Sequence, residues 1–168
     1  MSKLCHRQRF LCILCMVCIL LAFVGCAGKK TEIDPDANRI GSEVSVCEGV
    51  TFSVVVFMES TGSDYAKPDK GNIFDIVKIK INNDGDNAIV LNESDFSIRY
   101  LDQVLDPISG KLNFAPDKLP ETVTIEPGTK YVSKLIWMVP KDSNLKLFVF
   151  KPSFGEGEIK YNLVQPEE

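Results

Sequence analysis

Beyond its first 25 residues the chain has no histidine, a single tryptophan, two cysteines and no uninterrupted apolar run longer than five residues. Each shortage removes a class of function. Without histidine the later part of the chain cannot form a Ser-His-Asp or Cys-His pair, nor a histidine-ligated zinc site. Without long apolar runs it has no further segment able to cross a bilayer as a helix. With only Cys26 and Cys47 left there is no disulfide framework to expect, the more so because Cys26 reads as an alkylated residue. Helical periodicity is nearly absent as well.

What is present begins with a sorting signal. Lys3, Arg7 and Arg9 precede an uncharged stretch from Phe10 to Val24, and Gly25-Cys26 follows. A basic start, an apolar run of about 15 residues and small residues at its end are the tripartite secretory pattern, and the run falls short of the roughly 20 residues that a permanent membrane helix needs. Phe23-Val24-Gly25-Cys26 resembles the lipobox of bacterial prolipoproteins, with phenylalanine where an aliphatic residue is usual. The resemblance implies diacylglycerol on the Cys26 sulfur and cleavage between Gly25 and Cys26. A diacylglyceryl cysteine carries two chains, enough for stable anchoring. The expected address is the extracytoplasmic face of the cell membrane, with the membrane itself a partner through the lipid. Cys5, Cys12, Cys15, Cys18 and His6 all fall in the discarded part.

Removal of 25 of the 168 residues leaves 143, and the formal charge moves from −4 to −7, because three basic residues and no acidic ones are lost. One core fits that length. An acidic domain argues against nucleic acid as a partner, since phosphate binding needs concentrated positive charge. Lys29 and Lys30 are a small basic pair beside the anchor. Residues 26–42 read as the lipidated cysteine and a flexible tether, and residues 43–168 as the domain.

From Glu43 the dominant period is two, the mark of half-buried strands. Val44 and Val46 alternate with polar neighbours, Glu48-Gly49 turns the chain, and Val50, Phe52, Val54, Val56 and Met58 are expected on one face. Ile73, Val77, Ile79 and Ile81 line one face of a central strand. Shorter strands follow near residues 88–91, 96–100 and 123–125. The stretch 131–139 alternates Leu135 and Trp137 with Ile136 and Met138, and the pattern alone leaves either face inward. Residues 145–150 and 159–163 close the count. Seven to nine short strands separated by turns predict an all-β fold, an antiparallel β-sandwich. Residues 60–71 read as the mobile loop and residues 104–119 as mainly irregular.

Several of these patterns coincide. Phe74-Asp75-Ile76-Val77-Lys78-Ile79-Lys80-Ile81-Asn82-Asn83-Asp84-Gly85, then Ser94-Asp95-Phe96, Ile125-Glu126-Pro127-Gly128, and Met138-Val139-Pro140-Lys141-Asp142 with Leu145-Lys146-Leu147 together resemble the telokin-like domain of unknown function of Gram-positive lipoproteins. The resemblance spans about residues 43–150. It implies an immunoglobulin-like sandwich outside the cytoplasmic membrane and names no catalytic residue and no cofactor. Asp102-Gln103-Val104-Leu105 departs from it, where the family tends to have a glycine turn and an aromatic residue.

The remaining candidates divide between chemistry and plain structure. Asn82, Asp84, Asp86 and Glu93 echo the spacing of a calcium loop, but the glycine is misplaced and the flanks are strands, so a solvated hairpin is the stronger reading. Cys47 reads as an inert, half-buried thiol. Trp137 and Tyr131 offer aromatic faces for a sugar, yet their alternating apolar neighbours favour a core. Asn92-Glu93-Ser94 spells a glycosylation sequon without the machinery to use it. The expectation is a non-catalytic interaction module with an unidentified envelope partner, contacting it through residues 60–71 and 102–119. The rival is a small carboxylate-dependent hydrolase, which needs two acids in a cleft with raised pKa values; a purely structural envelope component is the third reading.

Overall fold

Alternation along the chain is realised as strands in the computed structural model, which describes residues 33–64, 66–110, 115–143 and 145–164. The signal segment, Gly25 and Cys26 lie outside the described residues. Ten strands are present among the described residues: β1 (Glu43–Cys47), β2 (Val50–Ser60), β3 (Asn72–Asn83), β4 (Ile89–Asn92), β5 (Phe96–Tyr100), β6 (Gln103–Leu105), β7 (Thr122–Ile125), β8 (Thr129–Pro140), β9 (Lys146–Phe150) and β10 (Ile159–Leu163). All pairings between them are antiparallel, in one sheet ordered β1-β2-β3-β8, a second ordered β10-β9-β5-β6, and a two-stranded β4-β7 ladder. The fold is an all-β sandwich.

Inward residues of the two four-stranded sheets meet in an aromatic core. Phe52 lies parallel to Phe148 at 6.0 Å between centroids, Phe96 stacks on Phe150 at 4.6 Å, and Trp137 meets Phe148 edge-on at 5.9 Å. Each such ring removed from water contributes about 1.5–3 kcal/mol. Trp137 is fully buried, and its Nε1 donates to the Leu105 carbonyl at 3.1 Å, tying β8 to β6 in the facing sheet. The question of which β8 face is inward resolves into both. Leu135, Trp137 and Val139 enter the main core, while Ile136 belongs to a second cluster with Phe74 and Ala115.

That second cluster changes the reading of the two loops. Ala66 from the first loop and Ile108 from the second pack on it, on the outer side of the first sheet. Backbone bonds fasten them: Ser63 N–H donates to Ala66, Ile108 N–H to Ile136, Leu119 N–H to Lys134 and Lys134 N–H to Asp117. The segment after β6 thereby covers the open edge of β8, as an exposed ladder edge demands. Among the described residues of these stretches, Ala66, Ile108 and Ala115 cover the first sheet, while Gln103–Leu105 belong to the second as β6.

Two further expectations are corrected. In β2, Val50, Phe52 and Val54 point inward as anticipated, but a register shift between Val54 and Val56 reverses the alternation. Val55 and Val56 both face solvent, Phe57 turns inward, and Met58 is exposed. One inserted residue in a ladder has this effect. The stretch expected as a flexible tether is also, from Asp34, bound to the sandwich. Asn38 adds to the edge of β10 through N–H to Lys160 and a carbonyl accepting from Asn162, Gly41 N–H donates to Val54, and the buried Tyr161 hydroxyl lies 2.9 Å from the Ser42 carbonyl. Unpaired edge groups on β10 and β2 give this segment its partners. Burial pushes the Tyr161 hydroxyl pKa up to about 12.

At the far end of β3 the turns 48–49 and 84–87 press together. A Cβ on Gly49, whose φ is +72°, would come within 2.5 Å of Gly85 Cα. Asn83 closes the corner by donating from Nδ2 to the Asn87 and Ile125 carbonyls, both at 2.9 Å.

Candidate functional site

The inward face of β3 runs Ile73, Asp75, Val77, Ile79, Ile81, so one carboxylate stands in a row of aliphatic side chains and is completely buried. Its counterpart comes from the opposite sheet. Lys146, the first residue of β9, places Nζ 2.8 Å from Asp75 Oδ1, to which it donates, and 2.7 Å from Glu59 Oε1. Glu59 sits directly across the ladder from Asp75 and leads to solvent. The ammonium also lies 5.3 Å from the Phe57 ring centroid, within cation–π range. Asp75 Oδ2, equally near the ammonium, makes no hydrogen bond. Loss of hydration raises the Asp75 pKa to about 6, opposed by the Lys146 hydrogen bond and charge and assisted by Glu59.

Lys146 also borders a groove on the outside of the second sheet. This groove, about 270 Å³, is lined by Ile33, Arg99, Leu101, Leu147, Asn162 and Val164, among others. Strand register explains the lining: Val104, Arg99, Leu147 and Asn162 are consecutive partners across β6, β5, β9 and β10, so all four project from the same face. The charges there are paired, Arg99 with Glu158 at 2.7 Å and Lys160 with Asp34 at 3.2 Å. Leu101, at the β5–β6 turn, has φ of +53° and is half exposed. That backbone conformation is costly for a leucine, and the two-residue hairpin between Tyr100 and Gln103 calls for it. Neither Asp75 nor Glu59 lines the groove.

A model of the family described as domain of unknown function DUF4352 matches residues 39–159. The chain belongs to this family. No curated protein matches it. Solved structures share the architecture of this DUF4352 domain: the yjhA protein of Bacillus subtilis aligns with a TM-score of 0.61 at 18% identity, over 75% of this chain and 99% of that one. A candidate lipoprotein of the same organism gives 0.57 at 16% identity, over 73% of this chain and 38% of its own length. A functionally unknown protein from Listeria monocytogenes gives 0.53 at 8% identity, over 76% and 84%. The chain thus spans well under half of that lipoprotein.

Within the DUF4352 domain the residues singled out by spacing are dispersed. The calcium-like set is not assembled: Asn82 Nδ2 donates to Thr51 and Glu43, Asp84 and Asp86 face solvent, and the buried Glu93 carboxylate is paired with buried Lys118. Glu93 and Lys118 instead tie the loop 106–119 to the short 3₁₀ turn Glu93–Asp95. Cys47 is half buried against the core, Trp137 lies inside it and Tyr131 packs at its margin. Two carboxylates do converge in Asp75 and Glu59, but on one lysine and away from the groove. The spacing rules missed Asp75. Its signal was an acid in the inward register of a strand that is otherwise aliphatic.

Proposed function

We propose that this DUF4352 protein is a lipoprotein held at the outer face of the cytoplasmic membrane through Cys26, with a telokin-like, immunoglobulin-like sandwich serving as a non-catalytic interaction module. The observation that carries the anchoring is the short distance in sequence between the lipobox-like Phe23-Val24-Gly25-Cys26 and Asp34, where the chain is already fastened to β10. Eight residues reach at most about 29 Å when fully extended. Such a leash suits a domain that works beside the membrane. The likeness to a candidate lipoprotein supports the same address. Against hydrolysis, the Asp75 carboxyl, raised to about 6, is fully buried and held by Lys146.

Substitution Cys26→Ala tests this reading. The wild-type protein is expected in the membrane fraction with a diacylglyceryl mass on an amino-terminal cysteine, and the variant in the culture medium or as unprocessed precursor. An unmodified amino terminus on the wild-type product would refute it.

A further inference from the structure

Resting on the anchoring reading, we propose that the outer face of the second sheet lies on the lipid bilayer, with Ile33, Leu101, Val104, Leu147 and Val164 directed at the headgroup boundary. Four observations converge on this face. First, the chain leads into it: Ile33 is seven residues from Cys26 and is itself part of the groove lining. An anchor on a leash of at most about 29 Å to the fastened Asp34 keeps this side of the domain near the lipid. Second, apolar side chains are displayed there, with Val104 63% exposed and Ile33 and Leu101 each 55% exposed. Third, Leu101 is held in a left-handed backbone conformation at a turn tip, where asparagine or glycine would sit without strain. The two-residue hairpin itself calls for a positive φ there, so what the fold leaves unexplained is only the choice of an exposed leucine in place of glycine or asparagine. Fourth, two ion pairs lie on the face, Arg99 with Glu158 and Lys160 with Asp34, so these four side chains add no net charge against an anionic leaflet.

The competing orientation is electrostatic. The outside of the first sheet carries Lys78, Lys80 and Lys134, the latter two paired with Glu43 at 3.0 Å and Asp117 at 2.9 Å, with Val132 in register with Lys80. If surface charge governed the pose, that side would face the lipid.

Tryptophan quenching by dibrominated phospholipid distinguishes these. The full chain, lipidated in a lipoprotein-maturing host, is reconstituted on phosphatidylcholine–phosphatidylglycerol vesicles as wild type, V104W and V132W. Trp137 is buried and supplies a constant background. Val104 and Val132 are both exposed, so neither substitution disturbs the core. V104W is expected to show at least about twofold stronger quenching than V132W, since an apolar face at the interface sits about 5–10 Å deep. Equal quenching, or stronger quenching of V132W, overturns the orientation while leaving the anchor intact. Failure of the wild-type protein to float with the vesicles removes the anchor, and the orientation with it.

Discussion

Asp75 is surrounded by aliphatic and aromatic side chains, and its charge survives there because Lys146 reaches it from the other sheet. Its titration leaves a signature. Unfolded, the carboxyl ionises near 3.8; folded, near 6, so between those values the native state holds the proton more firmly. The stabilising contribution is therefore complete below about pH 3.8 and is lost as pH rises through about 6, by at most about 3 kcal/mol. Comparison with Asp75→Asn isolates it. In urea unfolding, the stability of wild type minus that of the variant is expected to fall between pH 4 and 7. A difference independent of pH would show that Asp75 has an ordinary pKa. The chain's one histidine, His6, lies in the expected signal segment, which keeps this window clear of imidazole titration. Asp75 was visible in the sequence as an interruption of the β3 pattern. Its partner was not, because Lys146 lies 71 positions away and nothing local marks the pairing.

Among the elements, β2 shows most plainly where alternation stops being informative. A reader of sequence sees Val54, Val56 and Met58 at even spacing, whereas the extra residue at Val55 hands the inward place to Phe57. No side chain in Val54-Val55-Val56 announces a bulge, so the register change is legible only once β3 is laid alongside. β6 escaped for a related reason: its turn uses Leu101 rather than a glycine or asparagine, so the usual hairpin signal is missing. Strands with conventional turns, such as β1–β2 around Gly49, were readable. The bulge also has a protective use. β1 accompanies β2 only as far as Ser53, leaving the later part of β2 as an edge with exposed Val55, Val56 and Met58. A bulge twists such an edge away from intermolecular pairing. Deletion of Val55 is expected to keep Phe57 inward and the unfolding midpoint close to wild type, while light scattering reports increased self-association. A deletion that unfolds the domain would show instead that the bulge is required for the register of β2 with β3.

For the molecule as a whole, the all-β class and most strand positions follow from period-two patterning, and the core follows from the same residues. What patterning could not supply is how the sheets are joined. Lys146 with Asp75, Trp137 with the Leu105 carbonyl, and Tyr161 with the segment before β1 are long-range contacts between individual polar atoms. The first of these ties is the costliest to break. Lys146→Met, leaving a carboxylate in the core, is expected to lower unfolding free energy by about 3–5 kcal/mol, whereas Asp75→Val with Lys146→Met recovers most of the loss. Thermal or denaturant unfolding of wild type and the two variants checks this, and a single Lys146→Met variant as stable as wild type would contradict it. Glycine and proline marked the loops as irregular, as they are, but did not announce that Ala66, Ile108 and Ala115 give them a face to cover.

The fastening of Asp34 to Asn162 also decides where a reporter belongs. The Asp34 N–H and carbonyl are both bonded to the Asn162 side chain, so the strand that leaves the domain does so beside the strand that enters it. A fluorescent protein fused after Val164 would crowd the route to Cys26, whereas one inserted at Pro127-Gly128, where space is open and β8 begins opposite Asn83, stands about 26 Å along β3 from Asp75, at the opposite pole.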